Sequence, residues 1–149
     1  DRTTSDLEDR QRPLEVNYDF QLQNHVTAIS DKEIYVLLDK DKEYSEWDID
    51  TAERVNDYQI SHKVYVSSKT IFTVPAGYKV EYMPDPVEKK YPDFNFSLKY
   101  ELIRNTIVYT KKITLDNAII KKSDFNNWNS CIKELRKSYK DPVQLSKTK

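Results

Sequence analysis

Apolar and polar residues alternate along much of the chain before position 116, which is typical of β-strands with one buried face. The strictest alternation begins at residue 14, and we expect that strand to span residues 14–29. A second alternation covers residues 58–74. Small polar residues interrupt it at 67–69, so it predicts either one bent or bulged strand or two collinear strands. Residues 34–38 are continuously apolar, which indicates a strand covered on both faces.

Turn residues separate these predicted strands. The segment 74–78 reads Val-Pro-Ala-Gly-Tyr and contains the only glycine of the chain. Proline fixes φ and removes a donor, and glycine readily adopts a positive φ, so a tight turn is predicted with Gly77 costly to replace. Further along, alternation resumes over residues 94–102 and again over 107–115. The Arg-Asn pair at 104–105 can form the two-residue turn of a hairpin between them.

The period changes after residue 117, where apolar side chains recur every three or four positions and so predict one face of an amphipathic helix. The residues of this face are Phe125, Trp128, Ile132, Leu135 and Tyr139. Ser123 and Asp124 are candidate N-cap residues, and Asp141-Pro142 is a stop signal. The helix is therefore expected at about residues 123–140.

These elements together predict a mainly β protein, an antiparallel β-sandwich, immunoglobulin-like or related, of roughly seven strands with one C-terminal α-helix. Residues 1–13 are polar and aperiodic and are expected to form a flexible lead-in or linker. Residues 14–145 would form a single domain, and residues 146–149 a tail. The acidic loop, defined here as residues 39–56, has no apolar period and is expected to lie on the surface.

Composition excludes several classes of protein. The 24 basic and 25 acidic residues are spread along the chain and give a net charge of −1, without the basic patch that a nucleic-acid interface needs. No apolar run approaches the ~20 residues of a membrane-spanning helix. A single cysteine excludes an internal disulfide and a multi-cysteine metal cluster. We therefore expect no nucleic-acid partner and no membrane span.

The residue types that usually carry catalysis are present but not grouped. Cys131 falls on the apolar side of the predicted helix, where a buried thiol is inert. His25 and His62 have no recognisable triad partner or second metal ligand. Acidic residues alternate at 39–43, as in a calcium-binding loop, but the glycine of that motif is missing. The sequence therefore predicts no catalytic, cofactor-binding or metal site.

Several aromatic residues are candidates for an interaction surface, since aromatic rings can stack on a sugar or on a partner protein. Tyr35, Tyr65 and Tyr109 are expected on strand faces opposite the main alternation, and Tyr44 and Trp47 fall in the acidic loop. Ordinary packing between sheets and helix is the competing interpretation for all five.

The order of short segments along the chain resembles one known arrangement. The segments are Leu14-Glu15-Val16-Asn17-Tyr18, Ile34-Tyr35-Val36, Glu53-Arg54-Val55-Asn56-Asp57-Tyr58, Val74-Pro75-Ala76-Gly77-Tyr78-Lys79-Val80, Tyr82-Met83-Pro84, Phe125-Asn126-Asn127-Trp128 and Val143-Gln144-Leu145. Together they resemble the domain of unknown function that closes bacterial transglutaminase-like proteins. In that family the enzymatic Cys, His and Asp belong to an upstream papain-like core, so the resemblance implies no catalytic residue here.

The resemblance implies a non-catalytic accessory domain that packs against, positions or offers a surface to the upstream domains of the same polypeptide. It also implies export to the periplasm or cell surface. The alternative is a carbohydrate- or cell-envelope-binding module that uses the exposed aromatics. A third hypothesis, in which Cys131 makes the chain itself a hydrolase or transferase, has little support because the residue lacks a catalytic partner.

Overall fold

Antiparallel strands and one helix make up the parts of the chain that the computed structural model describes, which are residues 2–5, 11, 15–18 and 26–148. The strands are β1 (Arg2–Thr4), β2 (Val16–Tyr18), β3 (Val26–Ala28), β4 (Glu33–Val36), β5 (Tyr58–Gln59), β6 (Val64–Thr73), β7 (Tyr78–Tyr82), β8 (Val87–Lys90), β9 (Phe94–Ile103), β10 (Thr106–Leu115), β11 (Ile119–Ile120) and β12 (Val143–Lys147). The helix α1 spans Phe125–Ser138 and follows a 3-10 turn at Lys122–Asp124. The predicted fold class, mainly β with one C-terminal helix, is confirmed.

The first sheet, called here the long-strand sheet, has the order β6-β10-β9-β8. Strands β9 and β10 pair over their full length around residues 104–105, which confirms the predicted hairpin. Strand β10 also pairs with β6 from Thr106↔Thr73 to Leu115↔Val64 without a register shift. The bend or bulge expected at 67–69 is therefore absent. The break in the 58–74 alternation lies earlier, between β5 and β6, because β5 pairs with β11 instead.

The second sheet, the short-strand sheet, has the order β3-β4-β12-β7. Its strand β12 comes last in the sequence and pairs with β4 on one side and β7 on the other. It extends to Lys147 and so includes the first two residues of the expected tail. A pair formed by β1 and β2 also places Arg2–Thr4, part of the expected lead-in, in a strand.

One apolar core joins both sheets and the helix. The inward residues of β9 and β10 alternate as predicted, so that Phe94, Phe96 and Leu98 face the interior. The predicted helix face is buried throughout, and Trp128 packs against Phe94 with ring centroids 5.0 Å apart. The helix thus covers the inner side of the long-strand sheet and supports sandwich-like packing.

The strand expected at residues 14–29 is described only in part. Strands at Val16–Tyr18 and Val26–Ala28 fall within the expected 14–29 strand, but Val16 and Val26 are exposed. Leu14, Phe20, Leu22 and His25 lie outside the described residues. In the helix, Asp124 occupies the N-cap position, as one of the two predicted N-cap residues, but it makes no side-chain capping hydrogen bond.

The Pro-Ala-Gly-Tyr turn connects the two sheets. Strand β6 ends in the long-strand sheet at Thr73, and β7 begins in the short-strand sheet at Tyr78. The Tyr78 amide donates to the Pro75 carbonyl at 3.1 Å, and Gly77 has φ +82°. A positive φ at the third position with this hydrogen bond is the geometry of a type II turn, which favours glycine.

Replacing Gly77 with alanine is expected to lower the free energy of unfolding by about 1–2 kcal/mol, because an L-residue is strained at this φ. No atom lies within 4 Å of the position of an added Cβ, so the cost is backbone strain alone. Gly77→Asn should cost less, because asparagine tolerates the left-handed region. Urea unfolding of the two variants checks this. Equal stability of Gly77→Ala and the wild type would contradict it.

The acidic loop differs most from its prediction. Asp39, Ser45 and Ile49 are buried, so the first part of the loop is anchored to the domain, whereas residues 50–56 are exposed as expected. It runs along α1 in the opposite direction, and the helix side chains hydrogen-bond its backbone carbonyls: Tyr139 to Glu43, Arg136 to Ser45, Trp128 to Trp47 and Asn129 to Ile49. The acidic loop is held by its backbone carbonyls, so its attachment does not require apolar residues at regular spacing.

Candidate functional site

The predicted aromatic residues do not share one surface. Tyr65 lies on β6 and is 79% exposed, on the outer face of the long-strand sheet. Tyr35 lies on β4 in the short-strand sheet and is half-buried. The two residues therefore belong to different sheets, and no single ligand surface is formed by the predicted set.

Three of the predicted aromatics pack inside the domain. Tyr44 and Trp47 contact each other edge to face with centroids 4.4 Å apart, and Trp47 stacks on Trp128. Tyr109 is 1% exposed, so its assignment to an outward face is wrong. Its position on β10 has the same parity as Ile107 and Ile113, which are both buried, and that parity already indicated the interior.

An exposed apolar patch lies on the outer face of the long-strand sheet, at the end near the β9–β10 turn. Ile71 is 65% exposed and pairs with Val108 across the strands, and Ile103 is 54% exposed. These three residues define the outer patch. The sequence pattern does not predict the outer patch, because its three residues lie on the strand face opposite the main apolar alternation. Exposed apolar residues grouped in this way mark interaction surfaces more often than isolated ones do.

A cleft of 570 Å³ lies between the end of β7, strands β8 and β9, and the C-terminal end of α1. Tyr82, Pro84 and Tyr100 line it together with three acidic and three basic side chains: Asp85, Glu134, Asp141, Lys89, Lys137 and Lys140. The Tyr82 hydroxyl donates to Asp141 at 2.9 Å, and this hydrogen bond raises the pKa of Tyr82. An aromatic wall beside charges of both signs can bind a polar ligand.

A buried polar cluster occupies the middle of β10. Lys111 and Asp39 each keep only 4% of their side-chain surface exposed, and Lys111 Nζ lies 2.9 Å from Asp39 Oδ2. Lys111 Nζ also lies 2.8 Å from Glu43 Oε2. The Tyr109 hydroxyl donates to Asp39 Oδ2 at 2.8 Å, and the Lys42 amide donates to Asp39 Oδ1 at 2.9 Å. Every polar atom of the Asp39 carboxylate is therefore bound within the domain.

The protonation equilibria of the cluster reflect burial and charge together. Burial acts to lower the pKa of Lys111, but its hydrogen bonds to Glu43 and Asp39 outweigh this and leave the pKa raised. Burial, followed by the nearby Asp39 charge, raises the pKa of Tyr109 well above its usual range. The ring of Tyr139 lies 5.5 Å from Lys111 Nζ, and burial raises the pKa of Tyr139 as well. Asp39 and Glu43, which belong to the alternating acidic residues at 39–43, both bind Lys111.

Cys131 is fully buried on α1 and borders a pocket of 300 Å³ that also contains Tyr91 and Asn127. Burial, with a smaller contribution from Glu134, raises the pKa of the thiol to about 12. His62 is exposed, and its Nδ1 lies 2.7 Å from the Ser61 hydroxyl. Within the described residues, no group of three or more His, Cys, Asp or Glu side chains could hold a metal ion.

We expect Cys131 to resist alkylation by iodoacetamide in the folded protein at pH 8. The pKa of the thiol is raised to about 12, so little reactive thiolate is present at pH 8, and the sulfur is buried. Intact-mass measurement before and after addition of denaturant checks this. Complete alkylation of the native chain within minutes would contradict the buried position.

In the parts of the chain that the structure describes, no helix is long and apolar enough to cross a membrane.

Comparisons with known proteins identify the domain type. The profile of DUF3858, a domain of unknown function with solved structure, matches residues 32–145. A putative protease from Parabacteroides distasonis ATCC 8503 has a similar fold, with a TM-score of 0.63 and 15% identity. The similarity covers 78% of this chain and 24% of that chain, so this chain spans about a quarter of that protein's length. No curated protein matches the sequence.

Proposed function

Because the chain belongs to the DUF3858 family, we propose that it is a non-catalytic accessory domain of a longer, transglutaminase-like protein. The observation that carries this proposal is the similarity of its fold to one quarter of a longer chain, a putative protease. The transglutaminase-like character comes from the resemblance of the sequence segments. In this role the domain packs against the upstream core, positions it or offers it a binding surface.

The outer patch supports a contact with a neighbouring domain. Ile71, Ile103 and the half-buried Val108 form an apolar area beside Thr73 and Lys69, which are exposed on the same sheet face. Interfaces between domains of one chain are mixed in this way, with an apolar centre and a polar rim. We therefore place the contact with the core at this end of the long-strand sheet.

The first experiment is an immunoblot of source cells with antibody against this domain. A band far above 17.7 kDa is expected, because the accessory role requires a larger parent chain. A band near 17.7 kDa would overturn the proposal, since the domain would then work alone. Fractionation of the same cells, with protease added to intact and to permeabilised cells, tests the proposed periplasmic or cell-surface location.

The second experiment places a charge in the outer patch of the parent protein. Ile71→Lys is expected to separate the unfolding of this domain from that of the core, seen as two calorimetric transitions in place of one. Ser67→Lys is the matched control, since residue 67 is exposed on the same strand and the same face. If the two variants unfold alike, the outer patch is not the contact with the core.

A carbohydrate- or cell-envelope-binding role is the second candidate function. The cleft is a better binding site for it than the five predicted aromatic residues, which do not share one surface. Tyr82 and Tyr100 both line the cleft, and aromatic rings beside hydrogen-bonding groups suit a glycan. Calorimetric titration with cell-wall glycan fragments tests this role. Tyr82→Ala should abolish any heat of binding and Tyr65→Ala should not. Absence of binding by the wild type would remove this candidate.

A further inference from the structure

The buried polar cluster of Lys111, Asp39 and Glu43 has no part in the proposed function. Lys111 lies near the middle of β10, and Asp39 follows β4, so the pair joins the two sheets through their interior. Burying two charges costs free energy that a pair of apolar residues would not cost. The cluster also has a third member, Glu43, in contact with the same amine. This set of groups contains an amine, a carboxyl group and a second carboxylate that can move a proton.

We propose that Lys111 and Asp39 condense to form an intramolecular isopeptide bond, with Glu43 as the general base. The Nζ atom attacks Asp39 Cγ, so that the Nζ–Cγ bond forms and the Cγ–Oδ2 bond breaks. The ammonium group carries three protons. One remains on the amide nitrogen, and two leave with Oδ2 as water. The reaction needs no oxidant, reductant or other reactant, and the net charge of the pair is zero before and after it.

The contacts around Asp39 match what each oxygen must do. The Lys42 amide donates to Oδ1 at 2.9 Å, where it stabilises the negative charge that develops when Cγ becomes tetrahedral. The Tyr109 hydroxyl donates to Oδ2 at 2.8 Å and so assists the departure of that oxygen. The amine and the carboxyl group are held in contact by the fold, which replaces a bimolecular encounter with a step inside one molecule.

Glu43 provides the route for the protons. Its Oε2 lies 2.8 Å from Lys111 Nζ, so it can accept a proton from the ammonium group and pass it to Oδ2. The Glu43 side chain is 36% exposed, which leaves a path for the released water. The ion pair favours the charged amine, so the neutral amine is rare. The rare neutral amine is sufficient for the reaction, because the bond needs to form only once in each molecule. The amide then persists, because its hydrolysis would require water in the core.

Mass spectrometry of the purified, denatured chain tests the proposal. The expected mass is lower than that of the sequence by one water molecule. Trypsin should release residues 33–40 joined to residues 105–112, because Lys111 is acylated and resists cleavage. The sequence mass, with residues 33–40 and 105–111 released as separate peptides, would overturn the proposal. Loss of water mapped to any other position would overturn it as well.

Two variants separate the bond from ordinary ion pairing. Lys111→Arg keeps the positive charge but has no amine able to form this bond, and it should show the full sequence mass. Glu43→Gln keeps an oxygen beside Nζ but removes the base, and in chains made by cell-free synthesis its cross-linked fraction should grow more slowly than that of the wild type. An unchanged rate in Glu43→Gln would overturn the assignment of Glu43 as the base. The wild-type peptide map decides the main point even if a variant does not fold.

Discussion

Trp128→Ala is expected to lower the free energy of unfolding by about 3–5 kcal/mol, as large-to-small changes of buried aromatics do. Trp128 is buried where the helix, the long-strand sheet and the acidic loop meet. Its ring packs on Phe94 at 5.0 Å and stacks on Trp47 at 6.4 Å. Its indole N–H donates to the Trp47 carbonyl at 2.7 Å, so the variant leaves both a cavity and a lost hydrogen bond. Urea unfolding followed by circular dichroism measures the loss.

The control for this prediction is Asn127→Ala, an exposed neighbour on the same helix that should change stability little. Trp128→Phe should lie between the two, because it keeps an aromatic ring but cannot donate to the loop. A loss below about 1 kcal/mol in Trp128→Ala would mean that the tryptophan does not fill the core as described.

Asn129→Ala is expected to cost about 2–4 kcal/mol, because it leaves two buried backbone groups without partners. The Asn129 amide accepts from the Ile49 N–H and donates to the Ile49 carbonyl, both at 2.8 Å. Ile49 is buried, so water cannot readily replace these contacts. Hydrogen exchange at Ile49 should become much faster in the variant, and chemical unfolding gives the stability change.

Asn129→Asp separates the two halves of this contact. An aspartate still accepts from the Ile49 N–H, but its second oxygen faces the Ile49 carbonyl oxygen, so two acceptors repel each other and the variant should cost at least as much as alanine. Asn126→Ala, exposed on the same helix, serves as the neutral control. Unchanged exchange at Ile49 in Asn129→Ala would contradict the described attachment of the acidic loop.

The alternation and the helical period were sufficient to predict the fold class, the β9–β10 hairpin and the buried face of α1. Each of these depends on local periodicity, which a sequence displays directly. The inter-sheet turn was also predictable, because Gly77 is the only glycine and a positive φ is needed there. What local pattern could not show is how strands distant in sequence pair, such as β6 with β10 or β12 with β4 and β7.

The candidate sites were harder to predict because their chemistry depends on partners distant in sequence. Lys111 lies at an inward position of β10, where a lysine is unexpected, and it is tolerated because Asp39 and Glu43 reach it from the acidic loop. The burial of Tyr109 followed from parity on β10, but its hydrogen bond to Asp39 did not. The attachment of the acidic loop to α1 uses backbone carbonyls, which leave no trace in the residue types.

Strand β12 has a consequence for how the protein is made. Residues 143–145 belong to an inner strand that separates β4 from β7 in the short-strand sheet. During synthesis, β4 and β7 emerge from the ribosome long before the strand that must lie between them. Their edges stay open until about residue 147 has been translated, and open edges favour pairing with other chains. The sheet can therefore close only late in translation, and a nascent chain stalled before β12 is the form most exposed to misassembly.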